Sequence, residues 1–167
     1  MQNDDRHIFS VMVENRFGVL ARVVSLFSGR GFNIDSLNVA ETHDESVSQI
    51  TLVTHGDPQI IEQIYHHLNR LIDVIEVTDI TTGTHVEREL ILIKIATTPQ
   101  TRADILQVAE VFRGRVIDMK PNSIILEITG DEGKLKAAID IYSTYGILEL
   151  ARTGKIAMIR GSTEKPQ

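Results

Sequence analysis

The residues of this chain best suited to hold a small molecule lie in one stretch, Glu14-Asn15-Arg16-Phe17-Gly18-Val19-Leu20. Before it, Phe9, Val11 and Val13 alternate with Ser10 and Met12, the period of a strand with one apolar face; after it, Val19, Leu20, Val23, Val24 and Phe27 recur at helical spacing. Gly18 therefore falls at a strand-to-helix turn. There the missing Cβ allows close approach, and the first helical N–H groups have no partner within the helix. Such a helix start favours a carboxylate or a phosphate. A free α-amino acid would place its carboxylate on the amides of Gly18, Val19 and Leu20, while Asn15 accepts from its ammonium. Asn33 and the backbone of Ile34 offer further acceptors, reached either within the same unit or across a dimer interface. Val19, Leu20 and Ile34 would then line a pocket sized for a small aliphatic side chain. The plainer reading is a connection followed by a helix, and residue types alone do not separate the two.

Other chemistries are poorly served. His7, His43, His55, His66, His67 and His85 show no metal-ligand spacing, and the adjacent His66 and His67 point in different directions on a helix. No serine sits in a GxSxG turn and there is no cysteine, so neither a nucleophile nor a thiolate site is expected. The acidic pairs Asp4-Asp5 and Asp44-Glu45 fall in a terminus and a turn. Gly29-Arg30-Gly31-Phe32 follows a helix instead of opening one, which suits a C-cap and not a phosphate loop. No catalytic residue and no metal site is expected on this chain.

Composition narrows the class further. With 167 residues and 42% hydrophobic content, the chain can build a packed core in one domain or two small ones. The net charge of −6 without a basic block argues against nucleic acid, and 5% aromatic residues with no Trp leave few platforms for stacking bases. No apolar run approaches the ~18 residues of a membrane span, and the polar start Met1-Gln2-Asn3-Asp4-Asp5 is unlike a targeting peptide, so the expected location is the cytoplasm.

The elements that must position the loop follow in order. After the first strand and helix, residues 33–42 read as strand, Thr42-His43-Asp44-Glu45 as a turn and residues 47–55 as its partner strand. Asp57-Pro58 is a strong helix start, and Ile60, Ile61, Ile64 and Leu68 form the buried stripe. A strand over residues 74–81 closes a βαββαβ unit. The order then repeats: a strand with Ile91, Ile93 and Ile95 on one face, a helix opened by Thr98-Pro99 and closed by Gly114, a hairpin around Pro121-Asn122, a helix capped by Asp131, and a strand over residues 147–159 broken at Thr153-Gly154. The expected fold is α+β, two ferredoxin-like units at residues 1–82 and 83–161, with a disordered tail over 162–167. Ser10, Met12, Leu37 and Val39 are expected on the sheet face opposite the helices. Together with the sheet edges they imply a homodimer. The second unit has Thr97-Thr98-Pro99-Gln100-Thr101 where the first has its glycine, so a ligand belongs to the first. His85-Val86-Glu87-Arg88-Glu89 reads as a solvated linker or a contact between units or with a partner.

Three blocks carry a resemblance over nearly the whole chain: residues 13–23 around Asn15 and Gly18, Phe27-Ser28-Gly29-Arg30-Gly31-Phe32-Asn33-Ile34-Asp35-Ser36-Leu37, and His85-Val86-Glu87-Arg88-Glu89-Leu90. Together they resemble the small, regulatory subunits of acetolactate synthase, also called acetohydroxyacid synthase. The resemblance implies an ACT domain, a fold that senses amino acids, followed by a related C-terminal domain. It further implies two ACT domains pairing to bind the feedback effector valine, with Asn15 and Gly18 from one chain and Asn33 from the other. The partner would be a catalytic large subunit that carries thiamine diphosphate, Mg and FAD and joins two pyruvates, or pyruvate and 2-oxobutyrate, in branched-chain amino-acid synthesis. This chain would raise that activity, confer valine inhibition and hold no cofactor itself. The alternatives are a free-standing amino-acid sensor acting on another enzyme or a transcription factor, an acylphosphatase-like enzyme, and an RNA-binding sheet.

Overall fold

Alternation in the first strand sets the architecture. In the computed structural model, which describes residues 5–161, β1 (Asp5–Glu14) buries Phe9, Val11 and Val13 on one face. Against that face lie α1 (Val19–Arg30), through Val19, Val23, Leu26 and Phe27, and α2 (Pro58–Asn69), through Ile61, Ile64 and Leu68. Each such side chain removed from water contributes about 1.5–3 kcal/mol, so this layer is the main stabilising term of the unit. Asp57 caps α2 by accepting from the Ile60 amide at 2.9 Å, with Pro58 in the first turn, as the sequence predicts. β2 (Ser36–Glu41), β3 (Val47–Gly56) and β4 (Val74–Asp79) complete an antiparallel sheet in the order β2-β3-β1-β4, which leaves β2 and β4 as its edges. This is the ferredoxin-like βαββαβ unit expected.

Register corrects one expectation. Leu37 lies opposite Leu52 and Val39 opposite Ile50, and both partners belong to the helix-side core. Directly opposed residues share a sheet face, so Leu37 and Val39 point toward the helix side, not away from it. Ser10 and Met12 do lie on the far face, opposite Thr51 and Gln49, and that stretch is polar: Gln49 donates to the Ser10 hydroxyl at 2.9 Å.

The second unit is built the same way from β5 (His85–Ala96), α3 (Arg102–Val111), β6 (Arg115–Lys120), β7 (Ser123–Gly130), α4 (Glu132–Ser143) and β8 (Ile147–Arg152), in sheet order β6-β7-β5-β8. Its core joins Ile91, Ile93 and Ile95 to Ile124, Leu126 and Ile128 beneath Ile105, Leu135, Ala138 and Tyr142. Glu89, buried on β5, accepts two hydrogen bonds of 2.7 Å from Arg152, which keep the carboxylate paired and raise the affinity of Arg152 for its proton. Asp131 caps α4 by accepting from the Lys134 amide at 2.9 Å. The close of α3 differs from expectation. Arg113, not Gly114, takes the left-handed conformation at φ 50°, whereas Gly114 is required by space, since a Cβ there would stand 3.1 Å from Ile128.

The final strand breaks at Thr153-Gly154, where the sequence reading puts the break: β8 ends at Arg152, Gly154 takes φ 78°, and β9 (Ile156–Ile159) is a separate strand. Residues 155–161 cluster with residues 5–86 as the first unit, while residues 87–154 form the second. Ala157 packs with Ile8, Val53 and Ile80 in a small core on the far face of the first sheet, and the Lys155 amide donates to Ser36 Oγ at 3.2 Å. The tail expected over 162–167 lies outside the described residues.

Tyr142 gives the second unit a pH signature. Burial, reinforced by the nearby Tyr145, pushes its phenol up to about 12 from 10.0. The folded state therefore keeps a proton that the unfolded chain releases, and stability falls as pH rises through 10 toward 12. Denaturant melts across this range should show that loss. Tyr142→Phe should remove it with little change at pH 7, because the hydroxyl's bond to the Ile105 carbonyl is long at 3.4 Å.

Candidate functional site

The β1–α1 turn is held by backbone before any ligand arrives. Gly18 is the N-cap of α1 at φ 85°, a left-handed conformation that costs a residue with a Cβ, and it offers no capping side chain. The Val19 amide reaches back to the Arg16 carbonyl at 3.3 Å; among the described residues, no intramolecular acceptor takes the amides of Gly18 or Leu20. Sequence reasoning assigned all three amides to an anion, and the structure leaves two. It also moves one side chain: Val19 is 3% exposed and belongs to the core, so it cannot line a pocket, while Leu20 is partly open to solvent.

Asn15 is fixed from three directions. Its backbone amide donates to the Ser46 carbonyl at 2.7 Å, and its side-chain nitrogen donates to Glu41 Oε1 at 3.0 Å and to the Glu45 carbonyl at 2.8 Å. The turn supplying two of those acceptors is itself tied down, since Asp44 Oδ1 accepts from both the amide and the hydroxyl of Ser46, bonds that also favour ionised Asp44. With both side-chain N–H groups engaged, Asn15 presents its Oδ1 as an acceptor. An acceptor beside two open helix-start amides complements a zwitterion.

Asn33 and Ile34 are not part of this cluster within one chain. They follow the C-terminus of α1, whose 12 residues span about 18 Å from the Gly18 end. Asn33 donates to Asp35 Oδ1 at 2.7 Å, its carbonyl accepts from Thr54 Oγ1 at 2.6 Å, and Ile34 packs against the core edge.

Two further groups went unnoticed in the sequence. Arg22, one turn past Gly18, donates through Nε to the buried Asp73 at 2.7 Å, and a Cβ at position 18 would stand 3.4 Å from its guanidinium. The Asp73 carbonyl accepts from the Glu14 amide at 2.9 Å, so one residue braces both sides of the turn. The two lie 51 positions apart, which no local pattern reveals. Phe17 is fully exposed at the tip of the turn. In the second unit, Thr98 and Thr101 each accept from the other's amide through their hydroxyls at 3.0 and 3.2 Å, so the turn ahead of α3 is tied by threonines where the first unit has a glycine.

Comparison with known proteins agrees with this layout. A profile of the AHAS small subunit-like ACT domain matches residues 9–76, and one for the small subunit of acetolactate synthase matches residues 88–161. The chain is 48% identical to a probable acetolactate synthase small subunit of Archaeoglobus fulgidus, over 94% of this chain and 98% of that one. This chain belongs to the acetolactate synthase small-subunit family. The small subunit of Aquifex aeolicus is 46% identical over 97% of this chain and 85% of its own length. The crystal structure of the acetolactate synthase small subunit from Thermotoga maritima superposes with a TM-score of 0.86 at 36% identity, covering 95% of this chain and 99% of that one. As a member of the small-subunit family, the chain carries its glycine turn in the ACT domain and the threonine-tied turn in the C-terminal one.

Asp73→Asn keeps the shape and the backbone carbonyl but removes the charge facing Arg22. A loss of about 1–2 kcal/mol in urea unfolding is expected, the reach of a charge-assisted bond whose arginine is half-exposed.

Proposed function

We propose that the chain is a regulatory subunit that binds a branched-chain amino acid, valine foremost, at the Gly18 turn and transmits feedback inhibition to a catalytic acetolactate synthase subunit. The observation that carries this reading is the pairing of the Asn15 Oδ1 acceptor with the open amides of Gly18 and Leu20, a match for ammonium and carboxylate on one α-carbon. The small-subunit names of the relatives support the partner.

Two copies would pair through the exposed edge of β2. Antiparallel pairing about a two-fold axis sets the start of one β2 beside the end of the other. The start of β2 follows Asn33; its end is Glu41, which binds Asn15. Asn33 and Ile34 of one chain thus come to the Asn15 and Gly18 of the next, which no single chain achieves. Leu20 and Ile34 supply the apolar lining. The catalytic partner would bring thiamine diphosphate, Mg and FAD, and the complex would work in the cytoplasm in branched-chain amino-acid synthesis; no helix among the described residues is long and apolar enough to cross a membrane. The coupling between effector and catalytic states is of the order of 1–3 kcal/mol, as allosteric couplings typically are.

Calorimetric titration of the purified chain with valine, leucine and inorganic phosphate tests the ligand, and sedimentation tests the dimer. Saturable valine heat at about one site per chain or per dimer is expected. Gly18→Asp, which sets a carboxylate where the effector's should lie, should abolish valine binding and valine inhibition while leaving activation of the catalytic subunit; undiminished valine sensitivity would refute the site. Asn33→Ala should weaken binding by about 1–3 kcal/mol, the value of a hydrogen bond to a charged group, and unchanged affinity would remove Asn33 from it.

A further inference from the structure

The helix side of the first unit carries a second feature, which begins at the Gly18 turn and runs on along the helices beyond the amino-acid site. A groove of about 650 Å³ runs along α1 and the end of α2, and Arg22, Arg30, His67 and Arg70 line it together with Ser25. No carboxylate is among its lining residues, although the chain has 23 acidic residues and a net charge of −6. Arg22 is committed to Asp73. Among the described residues, the guanidinium groups of Arg30 and Arg70 enter no ion pair.

Desolvation and the surrounding positive charge act on His67 in the same direction. His67 holds its proton less readily than an ordinary histidine, through partial desolvation first, then repulsion from Arg30, Arg70 and His66. Helix ends offset part of this, because Arg30 sits in the last turn of α1 and His67 in the last turn of α2. Each such end supplies about half a negative charge, so the two together offset about one of the two permanent cations and leave about one in excess beside the titratable His67.

We propose that this groove is a binding site for a small multivalent oxyanion of the phosphate class, held by Arg30 and Arg70, with His67 as a protonatable third donor and the Ser25 hydroxyl beside them. Planar guanidinium forks match the paired oxygens of a tetrahedral dianion, and one carboxylate has too few oxygens and too little charge to satisfy three cations. A volume of about 650 Å³ falls within the range of small-molecule sites and exceeds one phosphate, so the anion would be the head of a larger phosphorylated metabolite. Bound dianion would raise the proton affinity of His67, and affinity would in turn increase as pH falls through the titration of His67. The other charges acting on that ring are those of Arg30, Arg70 and His66, and both arginines keep theirs across the range.

The test is NMR of the histidine rings in the full chain, titrated separately with sulfate, inorganic phosphate and diphosphate, against sodium chloride at matched ionic strength. Sulfate keeps its charge across the range, so its pH dependence reports the protein. Saturable shifts of His67 that spare His43 and His85, a raised His67 pKa with ligand bound, and tighter sulfate binding at pH 6 than at pH 8 are expected. Arg30→Gln and Arg70→Gln should each weaken binding about tenfold, the loss of one charge-assisted contact. Tighter binding of diphosphate than of phosphate would show that the groove takes an extended head. Shifts that follow chloride equally, or affinities unmoved by both substitutions, would overturn the proposal. Valine titration of the same variants, with Gly18→Asp alongside, separates the groove from the amino-acid site, which shares Gly18 with it.

Discussion

A single backbone angle sets the terms for the first unit. With Gly18 at φ 85°, β1 turns directly into α1, and the helix begins without a capping side chain. A Ser, Asp or Asn in the usual cap conformation would have satisfied its own amides, as Asp57 and Asp131 do for α2 and α4. The turn thus gives up the roughly 1 kcal/mol that a cap contributes, and keeps donors available. Its rigidity comes instead from outside the helix: the Asp44–Ser46 turn grips Asn15, and Asp73 grips both Arg22 and Glu14. A site whose donors are pre-aimed loses less entropy on binding than one that must order itself.

The two units share one architecture and differ at the turn after the first strand. Both place a helix after the first strand, but the second reaches it through a turn tied by reciprocal Thr98–Thr101 bonds in place of a glycine. Helix α3 begins at Arg102, three residues beyond the start that Thr98-Pro99 suggests. The second unit also buries one carboxylate, Glu89, against a bidentate arginine, leaving that charge nothing to recruit.

Much of this was legible because short-range physics decides it. The period of two in Phe9, Val11 and Val13, the Asp57-Pro58 helix start and the glycine at the turn each depend on neighbours a few positions away. What failed needed register or distance. Val39 was placed on the wrong sheet face because a six-residue strand with apolar residues at both parities has no readable side until it pairs with β3. Val19 was placed in the pocket because helical spacing marks it as apolar without saying whether its side chain or its amide faces the turn. Asp73, reached only through Arg22, gave no local sign at all. The positive φ at the close of α3 lies on Arg113, beside a Gly114 that sits close under Ile128.

The last strand has a consequence for how the molecule is made. The small core of Ile8, Val53 and Ile80 is closed by Ala157, which is synthesised after every residue of the second unit. A nascent chain can assemble the first sheet and its two helices early, yet part of that sheet's far face stays uncovered until the ribosome has finished the rest. During this interval the exposed apolar surface is open to chaperones and to other nascent copies. The second unit, continuous from residue 87 to 154, has no such wait, so the portion made later can be the first to finish folding.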